Sequence, residues 1–157
     1  QVIQFSLQNT LAEHALVFDS VRVMHIKVIT NNSNNIDLRP KAAASWIRSQ
    51  LAESIRSRHP YQVNLLLGGY DEPSSEPALY WIDYLGTLVQ VPFAAHGYAS
   101  YLTLSTMDRY HRPDMSLEEG LHLLKQCINE MRTRFVIDVG SFSVRIITRE
   151  GVREVAI

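Results

Sequence analysis

Apolar positions fall along this chain in blocks whose spacing changes from the period of a strand to that of a helix and back, with prolines, glycines and polar runs marking each change. In Gln1–Asn9, Val2, Ile3 and Phe5 form a pattern too short to separate one helical turn from two. Leu11–Phe18 reads weakly helical. Val21, Val23, His25, Lys27 and Ile29, set among Arg22, Met24, Ile26 and Val28, read like a strand. The run Asn31-Asn32-Ser33-Asn34-Asn35 is a polar loop, because such side chains compete with regular backbone pairing.

Pro40 suits the first position of a helix, where its missing N–H would be unpaired anyway, and Ala44, Ile47, Leu51 and Ile55 follow at helical spacing. The tail Arg56-Ser57-Arg58-His59 then places positive charge where the helix dipole favours it, before Pro60. Val63–Leu67, ending in Gly68-Gly69, and Ala78–Ile82 are two extended runs joined by a turn-rich segment, which predicts a hairpin. Gly86–Val91 is a further extended piece. A helix is expected from about Tyr98 to Tyr110, and its small and apolar residues point to burial.

Ser116-Leu117-Glu118-Glu119 reads as a capping box, and Leu117, Leu121, Leu124, Ile128 and Met131 form the apolar stripe of the helix it opens, which ends near Arg134. Phe142, Val144 and Ile146 alternate, and Glu150-Gly151 turns the chain back into Val152, Glu154 and Val155, a terminal hairpin. Helix, hairpin, two helices and hairpin is the order of a layered α/β architecture with antiparallel sheets.

Composition narrows the function classes. The chain has 157 residues, 46% hydrophobic and 20% charged, which fits one domain with a sizeable core. Lys plus Arg number 15 against 16 Asp plus Glu, so no strong field draws it to nucleic acid or an anionic membrane. No apolar run approaches the roughly 20 residues that cross a bilayer, and the first residues lack a basic region followed by an apolar block. A single cysteine, Cys127, can form neither an internal disulfide nor a thiolate cluster, which fits a reducing compartment. Asn31-Asn32-Ser33 matches the glycosylation acceptor pattern, which matters only in a secreted context.

The search for chemistry finds residue types without arrangements. The six histidines show no metal-ligand spacing, and no metal or cofactor is expected. Gly68-Gly69-Tyr70 lacks the helix and Lys-Ser or Lys-Thr pair of a phosphate cradle and reads as close backbone packing or a tight turn. Tyr80, Trp81 and Tyr84 have no accompanying cations for base stacking and read as sheet packing. There is no GxSxG elbow, and Cys127 sits inside a helix close to its buried stripe. His122 is expected on the helix surface. His111 and Asp114 flank a turn between helices, where solvated loop polar groups are the ordinary reading.

Four stretches carry a resemblance: RSRHPYQVNLLLGGYDE (Arg56 to Glu72), ALYWIDYLGTL (Ala78 to Leu88), PFAAHGYASYLTLSTMDRYHRPDMSLEEGLHLLKQC (Pro92 to Cys127) and FSVRIITREGVREV (Phe142 to Val155). In order and spacing they resemble proteasome beta-type subunits, nearest to the beta type-2 class at the fourth beta position, from about Ile36 to Ile157. The resemblance implies an α+β, N-terminal-nucleophile hydrolase fold, an αββα four-layer sandwich, incomplete here at its N-terminus. It also implies a single domain over 1–157 in which about 11–30 is a non-matching insertion, and Gln1–Gln8 resembles the start of the family's first long helix. Without the front strands, apolar faces are expected to lie uncovered.

The implied function is a non-catalytic structural subunit of the core particle's beta ring, supporting ATP- and ubiquitin-dependent degradation by neighbouring threonine-protease subunits. Its partners are other beta and alpha subunits, not nucleic acid or a membrane, and its location is the cytoplasm and nucleus. Active family members use an N-terminal threonine with an Asp and a Lys, none of which can be placed on this chain. At the GSG-like turn of those members this chain reads Ala95-His96-Gly97, and only Gly97 fits. Asp138 and Ser141 keep the separation of a supporting pair, but Phe142 and Ser143 replace the glycines that normally follow, so no catalytic residue is expected. The alternatives are an active threonine peptidase whose nucleophile lies in an upstream segment, and a non-functional truncated product. Arg56, Arg58, His59, Tyr98, Tyr110, His111, Arg112 and Asp114 are the expected subunit-interface residues, because they combine aromatic or charged groups with exposed element ends.

Overall fold

The computed structural model describes residues 2–8, 38–134 and 141–156. Segments 9–37 and 135–140 lie outside them, and with them the expected weak helix, strand and insertion before Thr30, the polar Asn loop, and Asp138. The elements are β1 (Val2–Gln8), α1 (Pro40–Ser54), β2 (Leu65–Asp71), β3 (Glu76–Ile82), β4 (Leu88–Gln90), α2 (Ala99–Tyr110), α3 (Leu117–Arg134), β5 (Ser141–Thr148) and β6 (Gly151–Val155). They form an α+β fold with two antiparallel sheets, in strand order β1-β5-β6 and β2-β3-β4.

The first element corrects the expectation of a helix start, since residues 2–8 pair with β5 as a strand. Ile3, Phe5 and Leu7 alternate with Gln4, Ser6 and Gln8, a period-two pattern that suits a pleated chain. The register sets Ile3 opposite Ile146, Phe5 opposite Val144 and Leu7 opposite Phe142.

Both predicted hairpins form. In the first, β2 and β3 pair from Leu65 with Ile82 to Asp71 with Glu76. Gly68 and Gly69 lie inside β2 rather than ending it, and the close packing expected there is present: a Cβ on Gly69 would stand 2.7 Å from Pro40 Cγ. Alternation in β2 and β3 turns Leu65, Leu67, Ala78, Tyr80 and Ile82 toward α1, where Ala43, Ala44, Ile47 and Leu51 complete a core cluster. In the second hairpin, Thr148 pairs with Gly151 at the turn, and Val144 and Ile146 of β5 are almost wholly buried.

One corner locks α1 to this sheet. Arg39, just ahead of the helix, donates through Nε and Nη2 to the two carboxylate oxygens of Asp71 at 2.8 and 2.7 Å. The Ser74 hydroxyl donates to the same carboxylate at 2.7 Å. The hydrogen bonds from Arg39 and then Ser74 hold the Asp71 carboxyl well below the usual carboxylate range. Pro40 stands beside this pair over Gly69.

Three helix expectations need correction. Helix α1 ends at Ser54, so Arg56, Arg58 and His59 lie beyond its last turn and do not cap its dipole. The chain instead tightens, with Arg56 N–H on Glu53 O at 3.1 Å and Ser57 N–H on Ser54 O at 2.9 Å, while the Ser54 hydroxyl accepts Tyr61 N–H at 2.7 Å. Helix α2 is not a buried helix: Thr103 is its buried residue, since α2 packs chiefly along α3. On α3 the buried face is Leu123, Cys127, Ile128 and Met131, whereas Leu117, Leu121 and Leu124 are half-buried. Both sets have helical spacing, and the packing selects between them. The Arg132 guanidinium lies 5.2 Å from the centre of the Phe142 ring, which ties α3 to β5 as α1 is tied to β2 and β3.

Candidate contact surface

The expected contact residues fall on three separate places. Arg56, Arg58 and His59 are exposed on the loop after α1. Tyr98 stands at the N-terminus of α2 and Tyr110 at its end, so the helix's 12 residues separate them by about 18 Å. His111, Arg112 and Asp114 form the connection to α3. Among the described residues, no ion pair joins the first group to the others.

Local sequence explains the start of α2. Gly97 has φ +65°, a conformation glycine adopts freely, and the Ser100 hydroxyl donates to its carbonyl at 2.6 Å. Thr103, on the buried side, returns its hydroxyl to Ala99 O at 2.8 Å. Residues at intervals of three from Tyr98 then face outward. Tyr98 is 59% exposed, Tyr101 81% and Leu104 37%, with the two tyrosine rings tilted against each other at 6.4 Å. Sequence reasoning named Tyr98 and missed Tyr101 and Leu104. The i, i+3, i+6 spacing was the available signal.

The other end of α2 is fastened from several sides. His111 N–H donates to Met107 O at 2.8 Å, and its ring packs on Phe93 at 5.1 Å, so His111 is half-buried rather than a free contact residue. Arg112 is paired to Glu119 and lies 4.0 Å from the exposed Asp114. The capping box forms as expected: Ser116 N–H donates to Glu119 Oε2 at 2.8 Å, and Glu119 N–H to Ser116 Oγ at 3.2 Å. Ser116, first through its backbone N–H, and then Arg112 draw the Glu119 carboxyl below its ordinary value. Tyr110 and Asp114 thus stand exposed on a turn that is already ordered, which lowers the entropy lost on docking.

Other aromatics divide by packing. Tyr80 is buried and Trp81 half-buried in the sheet, but Tyr84 lies exposed in the turn after β3 and is not sheet packing. His96 is buried, stacked on Trp81 at 4.8 Å with the planes 22° apart, and its Nε2 lies 3.0 Å from Leu65 O. Because a carbonyl only accepts, this bond places the proton on Nε2. Cys127 is buried, and desolvation pushes its thiol up to about 11. His122 is exposed beside Gln126, as expected. No group of three or more His, Cys, Asp or Glu able to hold a metal occurs among the described residues, and none of their helices is long and apolar enough to cross a membrane.

Comparison with known proteins gives these surfaces a context. The sequence model of the family described as "Proteasome subunit" matches residues 18–147. A Meyerozyma guilliermondii protein named "Probable proteasome subunit beta type-4" is 49% identical over 155 residues, 96% of this chain and 80% of that protein. "Proteasome subunit beta type-4" of Saccharomyces cerevisiae is 50% identical over 119 residues, covering 76% of this chain and 60% of its own length. "Proteasome subunit beta type-2-A" of Arabidopsis thaliana is 46% identical over 123 residues, 78% of this chain and 59% of that protein. The chain thus spans about three fifths of the length of the last two relatives. The relatives share the beta designation and divide between the type-4 and type-2 names.

Proposed function

Because this chain belongs to the proteasome subunit family, whose domain has the N-terminal-nucleophile hydrolase fold, we propose that it is a non-catalytic structural subunit in the beta ring of the core particle. The single observation that carries this reading is the family match over residues 18–147, joined to beta-designated relatives at nearly half identity. The residues along 1–157 act as one domain. Its partners are other beta and alpha subunits, its working place is the cytoplasm and nucleus, and its contribution to proteolysis is to hold neighbouring threonine-protease subunits in place.

The contact surface supports this role. Tyr98, Tyr101 and Leu104 present an exposed apolar and aromatic stripe along α2, and Tyr110 and Asp114 stand exposed at the far end of that helix, on a braced turn. Such side chains supply large contact area with few rotatable bonds. Arg56, Arg58 and His59 offer a second, cationic contact on the loop after α1.

The test is to express the tagged chain in cells and follow it on native gels. Migration with the core particle is expected, and loss of co-migration in Tyr98→Ala/Tyr101→Ala with the fold retained would assign those residues to the contact. Small or aggregated species, under conditions where a full-length relative assembles, would refute the role. An electrophile that acylates N-terminal threonines separates structural from catalytic: label on the neighbours but not on this chain is expected, and label on this chain would make it a peptidase.

A further inference from the structure

We propose that the column Lys125, Asn129 and Arg132 on α3 is a docking face for an acidic polypeptide segment, one that presents two carboxylates seven residues apart on a partner helix. The face belongs to this chain and stands whether or not the chain enters a particle.

Helical spacing builds the column. Positions i, i+4 and i+7 return to one side of a helix, so Lys125, Asn129 and Arg132 rise along α3 one above another over about 10 Å. All three are exposed, and buried Ile128 floors the hollow that they line. The glutamates of α3 are engaged elsewhere or stand too far off. Glu130 pairs with Arg134, and Glu119 accepts from Ser116 and pairs with Arg112 at the other end of the helix. Glu118 lies seven residues before Lys125, about 10 Å along the axis. Among the described residues, neither Lys125 nor Arg132 has a carboxylate partner, and the Asn129 amide makes no hydrogen bond.

Arg132 is nevertheless held in place. Its guanidinium lies 5.2 Å from the centre of the Phe142 ring, a contact that positions the head group without neutralising it. A positioned, un-neutralised guanidinium loses less freedom on docking than a free one, and its planar fork matches a carboxylate. Charge complementarity then selects the occupant. Two like charges keep apart, so each takes its own carboxylate, whereas a single small oxyanion would have to draw Lys125 and Arg132 together over Asn129. A partner helix with glutamates at i and i+7 carries its carboxylates at the same rise as the column, and the Asn129 amide between them donates to a third acceptor. The chain as a whole has a net charge of −1, so the attraction for an anion is local to this face. An exposed pair contributes up to about fivefold in affinity. The face therefore steers and registers its partner within a wider contact.

The test titrates the isotope-labelled full chain by NMR with a helical peptide of alanine and glutamine that carries two glutamates seven residues apart. The same peptide with its glutamates moved to opposite faces, and inorganic phosphate, serve as separate arms. Spectra are taken at about 10 mM and about 150 mM salt, where charges are screened beyond about 30 and about 8 Å. Shift changes confined to α3 around Lys125–Arg132 are expected, with binding severalfold weaker at the higher salt. Lys125→Gln should weaken binding by up to about fivefold, and Lys125→Gln/Arg132→Gln should abolish it. Absence of shifts at the column, equal affinity for the peptide with moved glutamates, or indifference to salt or to Lys125→Gln would each overturn the proposal. Phosphate that moves the same signals as strongly as the peptide would also overturn it, by assigning the face to a free oxyanion. Lys125 is exposed and unpaired among the described residues, so its variant keeps the fold and the test holds even where Arg132→Gln does not fold.

Discussion

Gly69→Ala tests the corner that docks α1 on its sheet. A Cβ there would stand 2.7 Å from Pro40 Cγ and 2.9 Å from Pro40 Cβ, both short of the separation real side-chain carbons tolerate. The Pro40 ring cannot rotate away, because it closes on its own backbone at the first turn of α1, and Arg39 beside it is held by both oxygens of Asp71. The clash must therefore be relieved by moving the start of α1 or bending β2. Forced insertion into packed surroundings costs about 1–3 kcal/mol. Alanine recovers part of this, roughly 0.5–1 kcal/mol, because glycine is the poorer strand residue. The net loss is at most about 2.5 kcal/mol, with a middle value slightly above about 1 kcal/mol, which lowers the urea midpoint by roughly 0.5 M at a typical slope of about 2 kcal/mol/M. Equilibrium urea unfolding of the purified chain, read by far-UV circular dichroism, measures it. Pro40→Ala removes the nearer carbon, so Gly69→Ala should cost less in that background, a coupling between neighbours. A Gly69→Ala chain as stable as its parent would refute the reasoning, as would one whose loss is the same with and without Pro40.

Three further outcomes follow from burial and charge. Met131→Ala removes a wholly buried side chain and should cost about 2–5 kcal/mol, whereas Tyr101→Ala, at an 81% exposed position, should change stability by less than about 0.5 kcal/mol; equal effects in the same urea assay would contradict the burial. Asp71 has a folded-state pKa below its unfolded one, so its pairing stabilises fully above the unfolded value and is lost as pH falls through the folded value. Asp71→Asn should accordingly be less stable than the parent at pH 7, and the gap should begin to narrow as pH falls below about 4 in thermal melts; a gap independent of pH would rule this out. Cys127, buried with its thiol pushed up to about 11, should resist iodoacetamide at pH 8 in the folded chain and react on unfolding in urea, as mass spectrometry can follow. Equal labelling rates in both states would show that the thiol is not protected.

Several parts of the fold were legible because short-range rules dominate there. The capping box at Ser116–Glu119 formed with both reciprocal bonds, and Glu150-Gly151 turned the terminal hairpin, since both depend on residues within a few positions of each other. Pro40 opened α1 where its missing N–H costs nothing. The resemblance carried by PYQVNLLLGGYD, AAHGY and DRYHRPDMS pointed to the family that the comparison with known proteins established.

Other features needed the assembled chain. Residues 2–8 form a strand because β5 offers an apolar register, a partner more than a hundred positions away. The buried face of α3 and the exposed stripe of α2 rest on which neighbours cover each helix, while helical spacing alone permits several faces. The Arg39–Asp71 pair, with partners 32 positions apart, and the His96 contact with Leu65, 31 positions away, left no local signal. Turn chemistry and side-chain periodicity act within a few residues, so both hairpins and the Ser116–Glu119 capping box could be read from the residues themselves. The tertiary structure alone decided which aromatics face solvent, which ion pair fastens α1 and which histidine is desolvated, because burial and charge pairing are properties of neighbours that only folding brings together.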